Sequence, residues 1–335
     1  ALPSLNFNHT ESLIKDLFNT EKLHACFEET ALEVFYYQYT NNTTYKAYCD
    51  LLGKTNPTSV QEIPFLPIET YKTHKIVCGG EGYQLKFNSS GTTGMTPSYH
   101  FVKEAAIYEA SFLKAFNMFY GEPKDYCFLA LLPNYLERGG SSLVYMVDHL
   151  IKSSNHPLSG FFLDNHKELE RRLLLLEEHG QKTILIGVSY ALLDFIEIRK
   201  MELSHTVVME TGGMKGRRVE IPRNELHQQL KDSFGISAIH SEYGMTELLS
   251  QAYSYGNGIF SLPPWMRVLI RESNDPFSYA EMGKTGGINI IDLANVHSCS
   301  FIQTQDLGKK HPEDKFEILG RFDESDIRGC NLMVL

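Results

Sequence analysis

The sequence lacks several features that would place it in a familiar class of protein. No Lys/Arg-rich run appears and the net charge is −10, so we expect no nucleic-acid partner. No apolar run approaches the roughly 20 residues that cross a bilayer, and residues 1–10 carry no charged segment followed by an apolar core. We therefore expect neither a membrane span nor a signal peptide.

Cysteine is scarce and shows no pairing. The six cysteines are spread along the chain without a CxxC pair, which argues against a zinc site and against a disulfide framework. The 13 histidines contain no HExxH, the pattern of zinc hydrolases. A reducing cytoplasm is the predicted location.

The pattern of apolar residues predicts an α/β fold. The chain has 335 residues, of which 42% are hydrophobic, enough for one large domain or two unequal ones. Helical periodicity fills about the first 50 residues. Further along, helical patterns separate short apolar runs at residues 127–132, 183–187, 206–209 and 236–240. Such alternation predicts parallel sheets flanked by helices.

After residue 258 the pattern changes. Short β-rich segments at 265–271, 287–292, 300–304 and 316–319 lie between glycine and proline turns. They predict a smaller antiparallel subdomain.

A hydroxyl-rich loop lies between an extended segment and a helical one. It reads Ser89, Ser90, Gly91, Thr92, Thr93, Gly94. Glycines let a backbone approach an anion closely, and hydroxyl and N–H groups can surround a phosphate. The loop has no lysine and is therefore not a GxxxxGK[ST] loop. By itself the pattern is also typical of a flexible linker.

Three further motifs follow predicted strands, where ligands of parallel sheets bind. Glu210-Thr211-Gly212-Gly213 follows the strand at 206–209, and Tyr243-Gly244-Met245-Thr246-Glu247 follows the one at 236–240. The second combines an aromatic ring, a hydroxyl and a carboxylate, which suits a nucleotide and its metal. Asp306, at the end of a β-rich segment, suits a ribose. Alone, the first motif and Asp306 are also typical of an ordinary turn, and the Tyr243–Glu247 motif is also typical of a plain connection from strand to helix.

The tail carries a cysteine in polar surroundings. It runs from Gly320-Arg321 to Gly329-Cys330. A tail is usually accessible, and Arg328 close by favours the thiolate, which is the nucleophilic form.

A competing motif is Gly187-Val188-Ser189-Tyr190-Ala191, which follows a strand and opens a helix like a nucleophile elbow. A hydrolase would also need a later carboxylate and a histidine among His240, His297 and His311, and no spacing selects one. A serine that caps the helix accounts for the motif better.

Taken together in this order and spacing, the motifs resemble the nucleotide site of the adenylate-forming superfamily of acyl-CoA synthetases and luciferase-like ligases. The resemblance covers roughly residues 60–330. Within the superfamily the chain is similar to the acyl-protein synthetases (LuxE-type) of bacterial fatty-acid reductase systems. The segments that carry this similarity are Phe65-Leu66-Pro67-Ile68, Thr211-Gly212-Gly213-Met214-Lys215-Gly216 and Ser325-Asp326-Ile327-Arg328-Gly329-Cys330.

The resemblance implies a role for each motif. Residues 89–94 would hold the ATP phosphates. Gly212, Gly213 and Tyr243, with Gly244 in the same set, would frame the adenine. Thr246 would contact the phosphate end, and Glu247 would help to bind Mg²⁺. Asp306 and Arg321 would hold the ribose, and Cys330 would be acylated.

The chain also departs from the superfamily. The lysine that usually follows the proline of the loop is replaced, since Ser98 follows Pro97. We also expect the usual C-terminal domain to be missing, because the sequence continues for only five residues after Cys330. That domain normally supplies a lysine for adenylation and the walls of a CoA tunnel, so its absence favours transfer to a protein thiol.

These predictions divide the chain into four parts. They are an N-terminal helical segment (1–60), an α/β nucleotide-binding core (61–258), a β-rich subdomain (259–320) and a tail with the acceptor cysteine (321–335). The predicted function is ATP-dependent activation of a carboxylic acid, a fatty acid in this family. The acyl group would pass to Cys330 and on to a partner protein such as a reductase. The alternatives are a ligase that uses CoA or a carrier protein, and a non-catalytic nucleotide-binding protein.

Overall fold

A computed structural model describes residues 7–80, 82–89, 96–133, 139–212 and 217–322. The helices are α1 (Phe7–Asp16), α2 (Thr20–Asn41), α3 (Thr43–Leu52), α4 (Thr70–Thr73), α5 (Ala105–Tyr120), α6 (Ser142–Ser154), α7 (His166–Glu178), α8 (Ser189–Ile198) and α9 (Arg223–Phe234). The strands are β1 (Leu66–Pro67), β2 (Leu85–Asn88), β3 (Tyr99–Val102), β4 (Cys127–Leu131), β5 (Gly160–Phe161), β6 (Thr183–Val188), β7 (Thr206–Thr211), β8 (His240–Tyr243), β9 (Ala252–Ser254), β10 (Ile259–Phe260), β11 (Met266–Arg271), β12 (Thr285–Asp292), β13 (Phe301–Lys310) and β14 (Phe316–Arg321).

The described residues form two compact units. The first unit contains residues up to Leu85, the segment 100–104 and the residues from Ile259 onward. The second unit contains residues 86–99 and 105–258. The structure thus groups the N-terminal helices with the β-rich segment far along the chain, whereas the four-part division follows sequence order and stays a prediction.

In the first unit, helix α2 packs on a β sheet. The sheet has the order β10-β14-β13-β12-β11, with antiparallel neighbours, and the short β1 pairs in parallel with β13. The side chain of Gln38 on α2 donates to the backbone oxygens of Asn295 and Val296, at 3.1 and 2.9 Å. Phe35 meets Phe301 edge-on at 6.4 Å. These buried contacts join segments about 260 residues apart.

The second unit has a mostly parallel sheet between two layers of helices. Its order is β5-β4-β6-β7-β8-β9, and only the pairing of β8 with β9 is antiparallel among the described strands. All residues of β4 and β6 are buried, as expected for strands covered on both faces. The predicted α/β architecture is therefore confirmed. The described residues contain both the parallel sheet with flanking helices and the β-rich region.

Local sequence accounts for several helix boundaries. Asn165 accepts a hydrogen bond from the backbone N–H of Glu168 and caps α7. Ser141 caps α6 in the same way through Val144. Helix α9 ends at Gly235, whose φ of 61° is left-handed.

Two strand predictions are corrected. The strand predicted at 236–240 instead spans His240–Tyr243, so Tyr243 lies on the strand and does not follow it. Asp306 lies inside the ten-residue β13 and not at a strand end, because the pairing with β14 continues to Lys310. Within the described ranges, no helix has the length and apolar character needed to cross a membrane.

Candidate functional site

The carboxyl ends of β7 and β8 bring together two of the predicted motifs in the second unit. The strands are parallel, with Met209 opposite His240 and Glu210 opposite Ser241. Glu210 and Thr211, predicted to follow the strand, are its last two residues. Gly212 leaves the strand with a φ of 72°, which favours glycine. The structure therefore places Gly212, Tyr243 and Gly244 at one edge of the sheet, as the sequence predicts for neighbouring parallel strands.

Glu210 is the centre of a buried polar cluster on the face covered by α9. Its side chain is 6% exposed. Ser241 donates to Oε1 at 2.6 Å, and His227 Nε2 lies 3.1 Å from the same oxygen. Because a carboxylate only accepts, His227 must carry its proton on Nε2. Arg223 Nε lies 3.5 Å away. The cluster therefore ties β7, β8 and α9 together behind the strand ends.

The environment of Glu210 keeps it ionised. Burial alone would raise its pKa, but the hydrogen bonds from His227 and Ser241 and the positive charge of Arg223 together hold the pKa below its usual value. The carboxylate is thus compensated within the fold. It therefore helps to position the strand ends.

A second polar cluster lies on the opposite face, which α5 and α6 cover. Thr211 donates to Glu242 Oε2 at 2.5 Å, and the two residues are 4% and 7% exposed. Successive residues of a strand point to opposite faces, so Thr211 and Glu242 share a face that Glu210 and Ser241 do not. Gly244 lies against Glu242, because an added Cβ would be 2.6 Å from Glu242 Oε1.

We expect Gly244→Ala to destabilise the second unit by about 1–3 kcal/mol, the usual cost of overpacking. The new methyl group requires Glu242 to move, and the bond to Thr211 resists that movement. Chemical denaturation measures the change in the free energy of unfolding. Gly139→Ala is the matched control in the same unit, since no described residue comes within 4 Å of a Cβ there. Equal stability of the two variants would contradict this assignment of Gly244.

Thr246 and Glu247 lie just beyond Gly244. Thr246 is half-buried and Glu247 is 6% exposed. The sequence predicted a connection from strand to helix here. The chain instead makes a turn into the antiparallel β9, with Tyr243 opposite Ala252. The turn holds the motif against the end of the sheet.

Ser89 marks one end of the hydroxyl-rich loop. Its N–H donates to the Ser98 oxygen at 3.0 Å, and the Ser98 N–H donates to Ser89 Oγ at 2.8 Å. Ser98, which replaces the usual lysine, is therefore buried at the base of the loop. Ser90, Gly91, Thr92, Thr93 and Gly94 lie outside the described residues, as does Gly213.

In the first unit the predicted ribose residues are cross-strand neighbours. Asp306 on β13 is opposite Arg321 on β14, and Arg321 Nε lies 3.5 Å from Asp306 Oδ1. The arginine side chain is 75% exposed, so this ion pair adds little stability. Arg321, predicted to open the tail, is the last residue of β14.

The competing serine motif is not arranged as a nucleophile elbow. Ser189 is 2% exposed, and its hydroxyl donates to Glu210 Oε2 at 3.4 Å. A nucleophile elbow requires an exposed hydroxyl. The interpretation of Ser189 as a helix cap is also wrong, because Val188 occupies the cap position and Ser189 is the first residue of α8.

A small apolar cavity lies between the sheet and helices α5 and α6. Its lining comes from both helices and four strands: Phe116, Phe128, Met146, Val147, Leu150, Ile184, Ile186, Met209 and Tyr253. Met209 is two residues before Thr211, and Tyr253 is opposite Glu242. The cavity therefore shares the face of the sheet that carries Thr211 and Glu242.

Comparison with solved structures identifies the fold. The chain is similar to 2-hydroxyisobutyryl-CoA ligase, solved in an open conformation with 2-HIB-AMP and CoA. The TM-score is 0.60 at 10% identity, over 94% of this chain and 70% of the ligase. This chain therefore shares the fold of the ligase. The same ligase in the postadenylation state gives a TM-score of 0.59 at 12% identity, over 95% of this chain and 68% of the other.

ATP-bound MatB from Rhodopseudomonas palustris is also similar, with a TM-score of 0.50 at 18% identity over 70% of this chain. The chain spans about half the length of MatB, 47%. No protein-family model matches the chain, and a search of the curated proteins found no similar sequence.

Several residues of the site were not predicted from sequence. Glu242 adjoins a predicted motif, and Arg223 and His227 belong to a helix that carried no motif. The available signal was a carboxylate near the end of each of two strands, Glu210 in β7 and Glu242 in β8, since a buried carboxylate is rarely without a partner. Sequence spacing did not indicate which partners these carboxylates have.

Proposed function

We propose that this protein activates a carboxylic acid by adenylation with ATP, and that the acid is a fatty acid. The observation that carries the proposal is the position of the Tyr243–Glu247 motif. It lies at the carboxyl ends of parallel strands, in a fold shared with a ligase whose solved structure holds 2-HIB-AMP and CoA. ATP-bound MatB has a similar fold, which supports ATP as the co-substrate.

Each predicted motif has a role toward the nucleotide in this proposal. Gly212, Gly213, Tyr243 and Gly244 would frame the adenine, and the loop 89–94 would surround the phosphates. Asp306, with Arg321 beside it, would accept hydrogen bonds from the ribose hydroxyls. The half-buried position of Asp306 on β13 supports this role, since it leaves part of the carboxylate accessible.

The oxygen ligands near the end of β8 suit Mg²⁺. Protein sites for Mg²⁺ commonly use one or two carboxylates together with substrate phosphates, and Glu247 supplies one carboxylate, with the Thr246 hydroxyl beside it. Among the described residues, no three His, Cys, Asp or Glu side chains gather as a metal site. When bound, Mg²⁺ offsets negative charge on the phosphates. Thr246 contacts the same phosphate end.

The reaction has two steps. A carboxylate oxygen of the acid attacks the α-phosphorus of ATP, the bond to the β-phosphate oxygen breaks, and acyl-adenylate and pyrophosphate form. A thiolate then attacks the acyl carbon, and AMP leaves with the electron pair of the broken C–O bond. The protein contributes mainly by positioning the reactants and by stabilising charge.

We propose Cys330 as the acceptor thiol, although it lies outside the described residues. The other cysteines offer poor nucleophiles. Burial raises the pKa of Cys78 to about 12 and that of Cys127 to about 11, so neither is a thiolate near neutral pH. Burial also raises the pKa of Cys49 and of Cys299, and a hydrogen bond with Glu29 raises that of Cys26. From Cys330 the acyl group would pass to a partner protein such as a reductase.

CoA or a carrier protein is the second candidate acceptor. The solved ligase of the same fold contains CoA, and this observation favours the alternative. The two candidates share the adenylation step and differ in whether Cys330 is needed.

We expect acid-dependent exchange between ATP and labelled pyrophosphate. The measurement uses a panel of carboxylic acids from acetate to long-chain fatty acids. Glu247→Gln should lower the exchange by about 100-fold or more, since it removes the charge proposed to hold Mg²⁺. Glu178→Gln, at the exposed end of α7, is the control and should match the wild type. Absence of exchange with every acid, in folded protein with Mg²⁺ supplied, would refute the proposed function.

A further inference from the structure

Within the part of the chain that the structure describes, one buried polar atom of the second unit has no hydrogen-bond partner. Gln251 is 4% exposed, and its Oε1 is shielded from solvent with no described donor to accept from. An unpaired acceptor in the interior is costly, and nearly all buried acceptors in folded proteins are paired. The side-chain oxygen of Gln251 therefore indicates a hydrogen-bond donor that a ligand would supply.

Gln251 lies next to the strand ends that form the candidate site. A Cβ added to Gly244 would be 3.3 Å from Gln251 Cγ and 2.6 Å from Glu242 Oε1. Both side chains therefore flank the same glycine, and both offer acceptor oxygens. Glu242 is itself held by the Thr211 hydroxyl, so this pair of acceptors is anchored.

The same face continues into the apolar cavity under α5 and α6. Gln251 precedes β9 and is two residues before Tyr253, which lines the cavity. Residues two apart along an extended chain share a face. Ser250, the preceding residue, contacts α5 through its hydroxyl, 3.2 Å from Ser111 Oγ. The polar pair thus lies between the open strand ends and the apolar interior.

We propose that Glu242 and Gln251 form a subsite that selects a carboxylic acid carrying a hydroxyl or amino group near its carboxylate. This inference rests on the proposed function and specifies its substrate class. The carboxylate would react at the strand ends, and the nearby donor group would pair with the Gln251 and Glu242 oxygens. A site built to pair with such a donor rejects the acid that lacks it, because Gln251 Oε1 is then left unpaired.

The test compares acids of one chain length in the pyrophosphate exchange assay. The set contains the unsubstituted acid and its 2-hydroxy, 3-hydroxy and 2-amino forms. We expect at least one substituted acid to exceed the unsubstituted acid in kcat/KM by about tenfold or more. Gln251→Met removes the acceptor at similar size and should abolish this preference. Gln229→Met, on the exposed surface of α9, should preserve it.

Two controls separate the outcomes. Inosine triphosphate carries an oxygen in place of the 6-amino group of ATP. If Gln251→Met changed only the ratio of the exchange rates with the two nucleotides, and not the preference among acids, Gln251 would be assigned to the base and the proposal would be overturned. Exchange that is active without any preference among the acids would also overturn it while leaving the proposed function intact. Absence of all exchange would instead refute the proposed function.

The thermal stability of Gln251→Met gives a readout independent of activity. If the amide is unpaired in the free protein, replacing it with an apolar side chain of similar size raises the melting temperature. A lower melting temperature would show that a buried water already satisfies the amide, and the need for a ligand donor would be removed.

Discussion

Cys330→Ser is expected to abolish the thioester-linked acyl-protein while leaving pyrophosphate exchange at the wild-type rate. Exchange needs only the acid, ATP and the residues that bind them, whereas the thioester needs the thiol. The measurement incubates the protein with a radioactive acid and ATP, isolates it under denaturing conditions and treats it with neutral hydroxylamine, which cleaves thioesters. All hydroxylamine-sensitive label should disappear in the variant.

The matched control is Cys26→Ser, which replaces the one described cysteine that is not fully buried. It should keep the label. Label that persists in Cys330→Ser would show that another residue is the acceptor. Loss of label in both variants would show that the assay does not report on Cys330 alone. Active exchange with no acyl-protein in the wild type would favour the alternative in which CoA or a carrier protein accepts the acyl group.

Glu210→Ala should lower the free energy of unfolding by about 3–5 kcal/mol, the usual effect of removing one partner from a buried ionic cluster. The substitution leaves Ser241 and His227 without their acceptor and leaves Arg223 without its nearby charge. Denaturation by urea measures the loss. The control is Glu178→Ala at the exposed end of α7, which should change stability by less than about 0.5 kcal/mol.

The effect of Glu210→Ala should depend on pH. Because the pKa of Glu210 in the folded protein is below its ordinary value, the carboxylate contributes its full stability above the unfolded-state pKa of about 4.3. That contribution is lost as the pH falls through the folded-state pKa. The stability difference between wild type and variant should therefore be largest near neutral pH and shrink below about pH 4. A constant difference over that range would show that Glu210 acts through packing and not through charge.

The sequence predicted the α/β architecture well because the signals for strands and helices are local. Residues 183–187 are apolar without interruption, and the structure makes them part of the buried strand Thr183–Val188. The side chain of Asn165 caps α7 by accepting from the backbone N–H of Glu168, three residues later. Patterns of this kind depend on a few neighbouring residues, and so they can be recognised without knowing the fold.

The strand ends were located less accurately. The strand before Tyr243 was placed four residues early, because the apolar run at 236–240 has the pattern of a buried strand. The actual strand contains Glu242, and because this residue is charged, a search for apolar runs does not find the strand. What allows a carboxylate there is the Thr211 hydroxyl on the neighbouring strand, and that neighbour follows from tertiary structure alone.

The sequence by itself determined which chemical groups this protein has and in what order: a hydroxyl-rich loop, two glycine motifs after strands and a cysteine in a polar tail. Only the tertiary structure decided which of these groups are neighbours. It placed Glu210 and Glu242 on opposite faces of the sheet at the ends of two neighbouring strands, buried Ser189, and left Gln251 Oε1 without a donor among the described residues. The physical reason is that hydrogen bonds and burial depend on distances in space, and residues 30 to 260 positions apart come within those distances only when the chain has folded.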